Sequence, residues 1–284
     1  MQRYKCKQCG HVFSNRRRPN HQRLLREYVQ GKQTYGQLAK QENVGKKTIQ
    51  RRIDQAEALK RKEEIEPSEC VILMDATYFK RSFGLMVWRD WYGRKNLLHE
   101  YVKYETVAAY KSGIAQLQAL GWVVLGIVCD GRRGVLKGFP EIPTQMCHFH
   151  QRKIVQRYIT QNPKLEASKE LKDIVEWLPK TDRESFTELL RRWHEKWKTF
   201  LAETTVDPVS GKSRYTHRRL RSAYNSLKSN LPYLYTYLDY YDRNIPNTTN
   251  SLEGTFSNID AKLGVHHGLK KQRKIKLVDS LLFG

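Results

Sequence analysis

Two apolar runs that each end in aspartate constrain this chain most. Val71-Ile72-Leu73-Met74 leads into Asp75, followed by Ala76-Thr77, and Trp122-Val123-Val124-Leu125-Gly126-Ile127-Val128-Cys129 leads into Asp130, followed by Gly131. Short, β-branched apolar runs of this kind read as buried strands. A carboxylate at the end of a buried strand is costly to desolvate unless something positive meets it. Neither run supplies a lysine or arginine, so the expected partner is a bound cation. A third acidic residue, Glu253, lies far downstream in a helical pattern. Three carboxylates in these settings match the requirements of a two-metal phosphoryl-transfer site.

The charge balance points to the substrate of such a site. The 284 residues carry 52 Lys and Arg against 29 Asp and Glu, a formal net charge of +23. A chain this basic attracts polyphosphate and releases counterions on binding it, so nucleic acid is the expected partner. The bland alternative is a ribosomal or merely basic soluble protein. Hydrophobic content of 39 % suffices for a real core. Mean hydropathy is −0.72, no apolar stretch is long enough to span a bilayer, and no membrane role is expected. The N-terminus, Met1-Gln2-Arg3-Tyr4-Lys5-Cys6, has no secretory apolar core. Five cysteines, with Cys70 and Cys129 inside strand-like runs, argue against a disulfide framework and for a reducing cytoplasm.

Five segments separate along the chain. Residues 1–20 are rich in cysteine and arginine, including Arg16-Arg17-Arg18. Residues 21–66 are helical by periodicity and stop at Pro67. Residues 70–155 alternate strand-like and helix-like runs, with strands expected at Val71–Asp75, Phe83–Trp88, Leu97–Tyr104, Val123–Cys129 and Thr144–Phe149. Trp91-Tyr92-Gly93-Arg94 joins the second and third as a hairpin, and Val107, Ala108, Ile114, Leu117 and Leu120 recur at helical spacing before the fourth. The order predicts a mixed α/β sheet with both aspartates at or near strand ends, where open sheets build their sites. Residues 156–246 read as an all-helical insertion. Phe186, Leu189, Leu190, Trp193, Trp197, Phe200 and Leu201 mark one helical face, entered through a capping box at Thr181 and Glu184. Residues 247–284 hold a final helix and a basic tail.

Several motifs admit two readings. From Tyr35 to Ile53 the chain resembles a helix-turn-helix: Ala39 is small where helices cross, Asn43 suits a left-handed turn, and Ile49 packs back. Lys46, Lys47, Thr48, Gln50 and Arg51 would then face a DNA major groove; the alternative is an ordinary helical hairpin. Cys6 and Cys9, with Gly10 behind them, form one knuckle of a zinc ribbon that lacks its other two ligands unless His11 or His21 completes it. Cys147 and His150 have C-x-x-H spacing, readable as zinc ligands, as a brace beside the aspartate strands, or as a contact to the scissile phosphate. Glu253 follows Asn250 by three residues, a capping-box spacing, so it either ties down a helix start or looks from the edge of the Leu252, Phe256, Ile259, Leu263 stripe toward the sheet. Asp90 and Asp173 compete for the acidic set, Asp90 being more simply a turn residue. Trp177, Trp193, Trp197 and the tyrosines at 233–241 read as core rather than as base-stacking platforms.

Taken in order, Asp75 in Leu73-Met74-Asp75-Ala76-Thr77-Tyr78-Phe79, Asp130-Gly131, Cys147-x-x-His150, a helical insertion, and Asn250-Ser251-Leu252-Glu253-Gly254 resemble bacterial insertion-sequence transposases related to Mutator-like elements, in their zinc-ribbon-bearing variant. The likeness runs from the half-ribbon through to His266-His267-Gly268-Leu269. It implies an RNase H-like (retroviral-integrase-like) mixed sheet interrupted by an all-α insertion, behind a partial zinc ribbon and a helix-turn-helix. It also implies a DDE triad of Asp75, Asp130 and Glu253 holding two Mg²⁺ ions (Mn²⁺ in their place), with Zn²⁺ at Cys6 and Cys9. The implied activity is cleavage of element ends and strand transfer into double-stranded target DNA by a dimer or larger assembly, associated with the bacterial nucleoid, with the insertion clamping DNA. The family's upstream cysteine knuckle is missing, and the expectation is that it lies before Met1. The rivals are a non-catalytic DNA-binding regulator, an inactive remnant, and another nuclease on the same sheet such as a junction resolvase.

Overall fold

The computed structural model describes residues 4–13, 20–59, 65–80 and 82–283, apart from the side chains of Phe13, Arg133 and Phe283. The expected basic run Arg16-Arg17-Arg18 lies outside the described residues. Two compact units emerge: residues 1–64 with 257–284, and residues 65–256.

The first unit opens with a small hairpin, β1 (Tyr4–Lys5) and β2 (Val12–Phe13), whose turn carries Cys6 and Cys9. Three helices follow, α1 (His21–Val29), α2 (Tyr35–Gln41) and α3 (Lys46–Gln55). Thr34 and Gln37 form a reciprocal capping box at the start of α2. The α2–α3 turn uses Asn43 at φ 51°, the left-handed conformation expected of it. Leu38, Ala39 and Ile49 are buried in the crossing.

The second unit is built on a five-stranded sheet among the described residues. Its strands are β3 (Glu69–Tyr78), β4 (Gly84–Asp90), β5 (Asn96–Val102), β6 (Val123–Cys129) and β7 (Thr144–Met146), in the order β5-β4-β3-β6-β7. The first three are antiparallel, while β3, β6 and β7 are parallel. The mixed sheet expected from the strand order is therefore present. Between β5 and β6 runs α4 (Val107–Ala119), and α5 (Arg133–Leu136) follows Asp130. Gly113 lets α4 lie directly on the sheet, because a Cβ there would sit 2.2 Å from the buried Trp88 indole. The last strand is shorter than expected: Cys147 takes the N-cap position of α6 (His148–Ile159), so Phe149 is helical.

Beyond α6 come α7 (Glu166–Trp177), α8 (Arg183–Ala202), a hairpin of β8 (Thr204–Val206) and β9 (Ser213–Tyr215), α9 (Arg218–Leu234) and α10 (Thr236–Asp239). The expectation of an all-helical insertion fails at this hairpin. Its turn is closed by Asp207 Oδ1, which accepts from the Val209 and Ser210 amides at 2.9 Å each. The expected capping box at Thr181 and Glu184 is also replaced: Asp182 caps α8 by accepting from the Ser185 amide at 2.8 Å. Trp193 and Trp197 are structural, donating their indole N–H to the Ala167 carbonyl and the Glu170 carboxylate. Trp177 and Tyr241, in contrast, are exposed, as is Leu238.

The chain then enters α11 (Asn250–Val265), whose first turns belong to the sheet-bearing unit, and ends in α12 (Lys271–Phe283). Residues 257–284, expected to continue the sheet-bearing core as its final helix and tail, join the N-terminal helices instead. Leu277 is buried with Leu24, Leu25, Leu38 and Ile49, and His266 stacks on Tyr28 at 3.9 Å. The basic tail has structural work: Arg273 grips Asp54 through two nitrogens, and Lys276 Nζ donates to the Ile53 and Asp54 carbonyls at the end of α3. A cation on those carbonyls suits the negative end of the helix. Among the described residues, no helix is long and apolar enough to cross a membrane.

Candidate active site

The sheet register places the two aspartates. β3 pairs with β6 in parallel through Ile72↔Ile127 and Leu73↔Val128. The paired stretch ends there; two residues later come Asp75, still within β3, and Asp130, in the loop just past β6. Asp75 is not at a strand end, as expected, but inside β3, which continues against β4 to Tyr78. It is the parallel pairing that ends before it. Asp75 is 8 % exposed, and its Oδ1 accepts from the Ala76 amide at 2.8 Å. Asp130 accepts from the Arg132 amide at 3.2 Å, while the Arg132 guanidinium is engaged by Glu105.

Glu253 is placed by a different device. The end of α9 is tied to β7 and α6 by buried polar side chains. Gln145 donates to the Leu234 carbonyl at 2.9 Å and accepts from the Tyr237 amide at 3.0 Å, and Thr236 Oγ1 donates to the Thr144 carbonyl at 2.9 Å. His148 Nε2 lies 2.6 Å from the Leu234 carbonyl. The returning chain then meets the start of α6: the His148 amide donates to the Asn247 carbonyl at 2.8 Å, and Thr249 donates to Cys147 Sγ from both its amide (3.3 Å) and its hydroxyl (3.4 Å). Thr249 and Cys147 are fully buried. The Thr249 carbonyl accepts from the Leu252 and Glu253 amides, making Thr249 the residue from which α11 springs. Asn250 is thus the first helical residue and is exposed, and its expected capping box with Glu253 is not formed.

Free of that task, Glu253 reaches the sheet. Asp75, Glu253 and His150 each offer a ligand atom, and the three atoms lie within 4.8 Å of one another, the one such acidic or histidine group among the described residues. His150 Nε2 lies 3.9 Å from Asp75 Oδ2 and 3.8 Å from Glu253 Oε1. The C-x-x-H spacing thus puts its histidine between two carboxylates and its cysteine under Thr249. Asp130 is not in this tight group, although its charge is felt there.

Electrostatics register the crowding. Burial pushes the Asp75 carboxyl up to about 7, with the Asp130 and Glu253 charges adding to the rise against His150 and the Ala76 amide. Burial acts to lower His150, but Cys147, Asp75 and Asp130 together lift it to about 9. These neighbours favour the charged imidazolium of His150, beside Glu253 and an Asp75 carboxyl that burial holds toward its neutral form. His150 is thus a positive group near Asp75 besides any bound cation, signalled in the sequence only by its place in the C-x-x-H spacing.

No family model matches the chain, and no curated protein matches it in sequence. Among solved structures it is similar to the Drosophila P element transposase strand transfer complex, at 11 % identity and a TM-score of 0.45, over 97 % of this chain and 93 % of that one.

The remaining expected residues are placed as follows. Cys6 and Cys9 share a turn in which the Gly10 amide donates to the Cys6 carbonyl and Gly10 has φ 70°. Backbone donors at Cys9 and Gln8 hold the Cys6 thiol below its ordinary value. On α3, Lys46, Lys47 and Arg51 are exposed, with Thr48 and Gln50 half-buried beside them. Asp90 is a turn residue, accepting from the Tyr92 and Gly93 amides, and Asp173 is exposed on α7.

Proposed function

We propose that this chain is a DNA transposase of an insertion sequence, with an RNase H-like core that cleaves element ends and joins them to target DNA by metal-assisted phosphoryl transfer. The observation that carries the reading is the meeting of Asp75 and Glu253 at His150, with Asp130 in the loop that leaves the neighbouring parallel strand.

The donor set fits a divalent ion. Asp75 is a buried carboxylate whose charged form is costly beside Asp130 and Glu253, and a cation offsets that cost. The Asp75 and Glu253 ligand atoms lie within 4.8 Å of each other, close enough that both would hold one ion. Oxygen donors from Asp75, Asp130 and Glu253 suit Mg²⁺ or Mn²⁺. When bound, such ions lower the pKa of an attacking water or hydroxyl and stabilise the departing oxygen of the phosphodiester.

The chain's own groups do the rest. Asp75 in β3 and Asp130 just past β6 supply one wall of the site, and Glu253 closes it from α11. His150, protonated at neutral pH, holds a proton on Nε2 between the carboxylates and is placed to donate it to a phosphate oxygen entering there. Lys46, Lys47, Thr48, Gln50 and Arg51 on α3 read the element's terminal repeats in a major groove, and Cys6 and Cys9 supply half of a zinc site. Double-stranded DNA is the substrate, and two ends call for at least a dimer. A cytoplasmic, nucleoid-associated location follows from that substrate.

One observation favours a second reading, an inactive remnant or non-catalytic DNA-binding regulator: His150 already supplies a positive charge to the carboxylates. Cleavage of a duplex bearing the DNA that borders the gene, with Mg²⁺ or Mn²⁺, separates the two. The wild-type chain cuts and Asp130→Asn does not; equal cutting by both removes the triad, and joining of a pre-cleaved end distinguishes a transposase from a resolvase.

A further inference from the structure

Helix α6 begins at the carboxylate cluster with His150 and leads away from it along a face rich in cations. A cleft of 430 Å³ runs beside it, lined by Phe149, Arg152, Lys153 and Lys172 among others. A second cleft of 860 Å³ continues from the first, and Ile159 and Thr160 line both. Lys164, Arg218, Arg219 and His217 line the second. Across the two clefts Glu176 is the only carboxylate among these lining residues, and Arg152 already pairs with it. Two helices also begin at the second cleft, α7 after Leu165 and α9 after His217, neither with a side-chain cap on its first amides. Helix starts add partial positive charge to that of the side chains. The seam between the clefts is Thr160, a β-branched residue held at φ 71°. Backbone strain of this kind is stored where a site needs a particular shape.

We propose that this track binds the phosphate backbone of the DNA that continues from the scissile bond, a proposal that rests on the phosphoryl-transfer reading of the cluster. From His150 to Thr160 the helix advances roughly 15 Å at about 1.5 Å per residue. One strand of duplex DNA carries a phosphate about every 3.4 Å of axis, so the seam lies about four phosphates from the cluster. An elongated, cation-lined path along the same helix that carries His150 suits a polymer backbone better than a small anion, for which one end of the path would suffice.

The test uses full-length Asp75→Asn protein in EDTA, so that it does not depend on catalysis. Fluorescence anisotropy with a 30-bp duplex gives affinity as a function of salt. Adding Lys153→Ala/Lys164→Ala/Arg218→Ala, all exposed positions, is expected to reduce the slope of log K against log salt by about 2–3, at about 0.9 per phosphate contact. A control triple on the exposed face of α8, Arg191→Ala/Arg192→Ala/Lys198→Ala, removes the same charge and is expected to leave the slope within about 1 of its starting value. Equal slopes for track and control triples overturn the proposal, as does saturable tripolyphosphate binding lost in the track triple with no change in duplex binding. If the track triple melts early, Gln161→p-benzoylphenylalanine in otherwise native protein replaces it: photo-cross-linking to the duplex supports the track, and none overturns it. Failure of the triad, by contrast, shows as undiminished cutting by Asp75→Asn and leaves the salt slopes readable.

Discussion

The two halves of the candidate site are held by different physics. Asp75 lies in β3 and Asp130 just past β6, adjacent parallel strands whose register backbone hydrogen bonds and alternating side chains fix locally. Glu253 arrives after an insertion of some ninety residues, and a handful of buried polar contacts decide where it lands: Gln145, His148 and Thr236 at the end of α9, then Cys147 with Thr249 at the start of α11. The comparison teaches that one wall of the site is robust to most surroundings, whereas the other depends on satisfying a few groups in a low-dielectric interior. An unmade hydrogen bond there costs the full desolvation of its partner.

The largest expected effect breaks both walls alike. Asp75→Asn, Asp130→Asn or Glu253→Gln should each lower metal-dependent cleavage by about three orders of magnitude or more, measured as single-turnover nicking of a labelled duplex. Next comes the clasp. Thr249→Val removes the hydroxyl donor to Cys147 and should cost about 10–100-fold in activity, read together with the Mn²⁺ concentration needed for half-maximal rate, while Thr249→Ser restores both. If Thr249→Val changes only the melting temperature, the clasp is structural and does not position Glu253.

Stability against pH sharpens the contrast further, because the two walls respond in opposite directions. Asp75 has a folded-state value raised to about 7 from 3.8, so its contribution is favourable in acid and is lost as pH rises from about 4 through 7. Asp75→Asn should therefore stabilise the metal-free protein at pH 8, by about 1–3 kcal/mol once the loss of His150's partner is included, with the gap closing toward pH 4. His148, on the clasp side, is depressed by burial to about 4 from 6.5 despite its bond to the Leu234 carbonyl. Its contribution is present above pH 6.5 and is lost as pH falls through 4, so His148→Gln should flatten the acid limb of the urea-midpoint curve between those values. The smallest effect belongs to Asn250→Ala: an exposed first helical residue with no capping box to lose should change stability by under about 0.5 kcal/mol and leave cleavage within about twofold.

Much of this was legible in the sequence for the same reason that the aspartate wall is robust. Apolar runs located four of the five strands of the main sheet, the fifth (Thr144–Met146) ending three residues sooner than expected, and the hairpin turn at Asp90 to Arg94 could be read from its residues. The helix carrying Glu253 was legible from the stripe Leu252, Phe256 and Ile259, which is buried. What escaped depended on contacts between distant segments. His150 was visible only as half of a C-x-x-H spacing, and nothing local showed that its ring would sit between Asp75 and Glu253. Asn250 and Glu253 had the spacing of a capping box, but Thr249, anchored on Cys147, started the helix one residue earlier. The β8–β9 hairpin did have a local signal, Thr204-Thr205-Val206 before the turn residues Asp207-Pro208-Val209-Ser210-Gly211, which the surrounding helical periodicity obscured. The tail from 271 looked like a solvated basic segment because its acceptors, Asp54 and the end of α3, lie more than two hundred residues away.

The central claim is that Asp75, Asp130 and Glu253 share divalent metal. A crystal of the wild-type protein soaked in Mn²⁺ and measured at the manganese edge tests it directly. Anomalous density is expected at about 2.0–2.3 Å from carboxylate oxygens of Asp75 and Glu253, with Asp130 completing the set and the His150 ring displaced from between them. A cluster still empty at saturating Mn²⁺, with the His150 imidazolium in place between the two carboxylates, would contradict it.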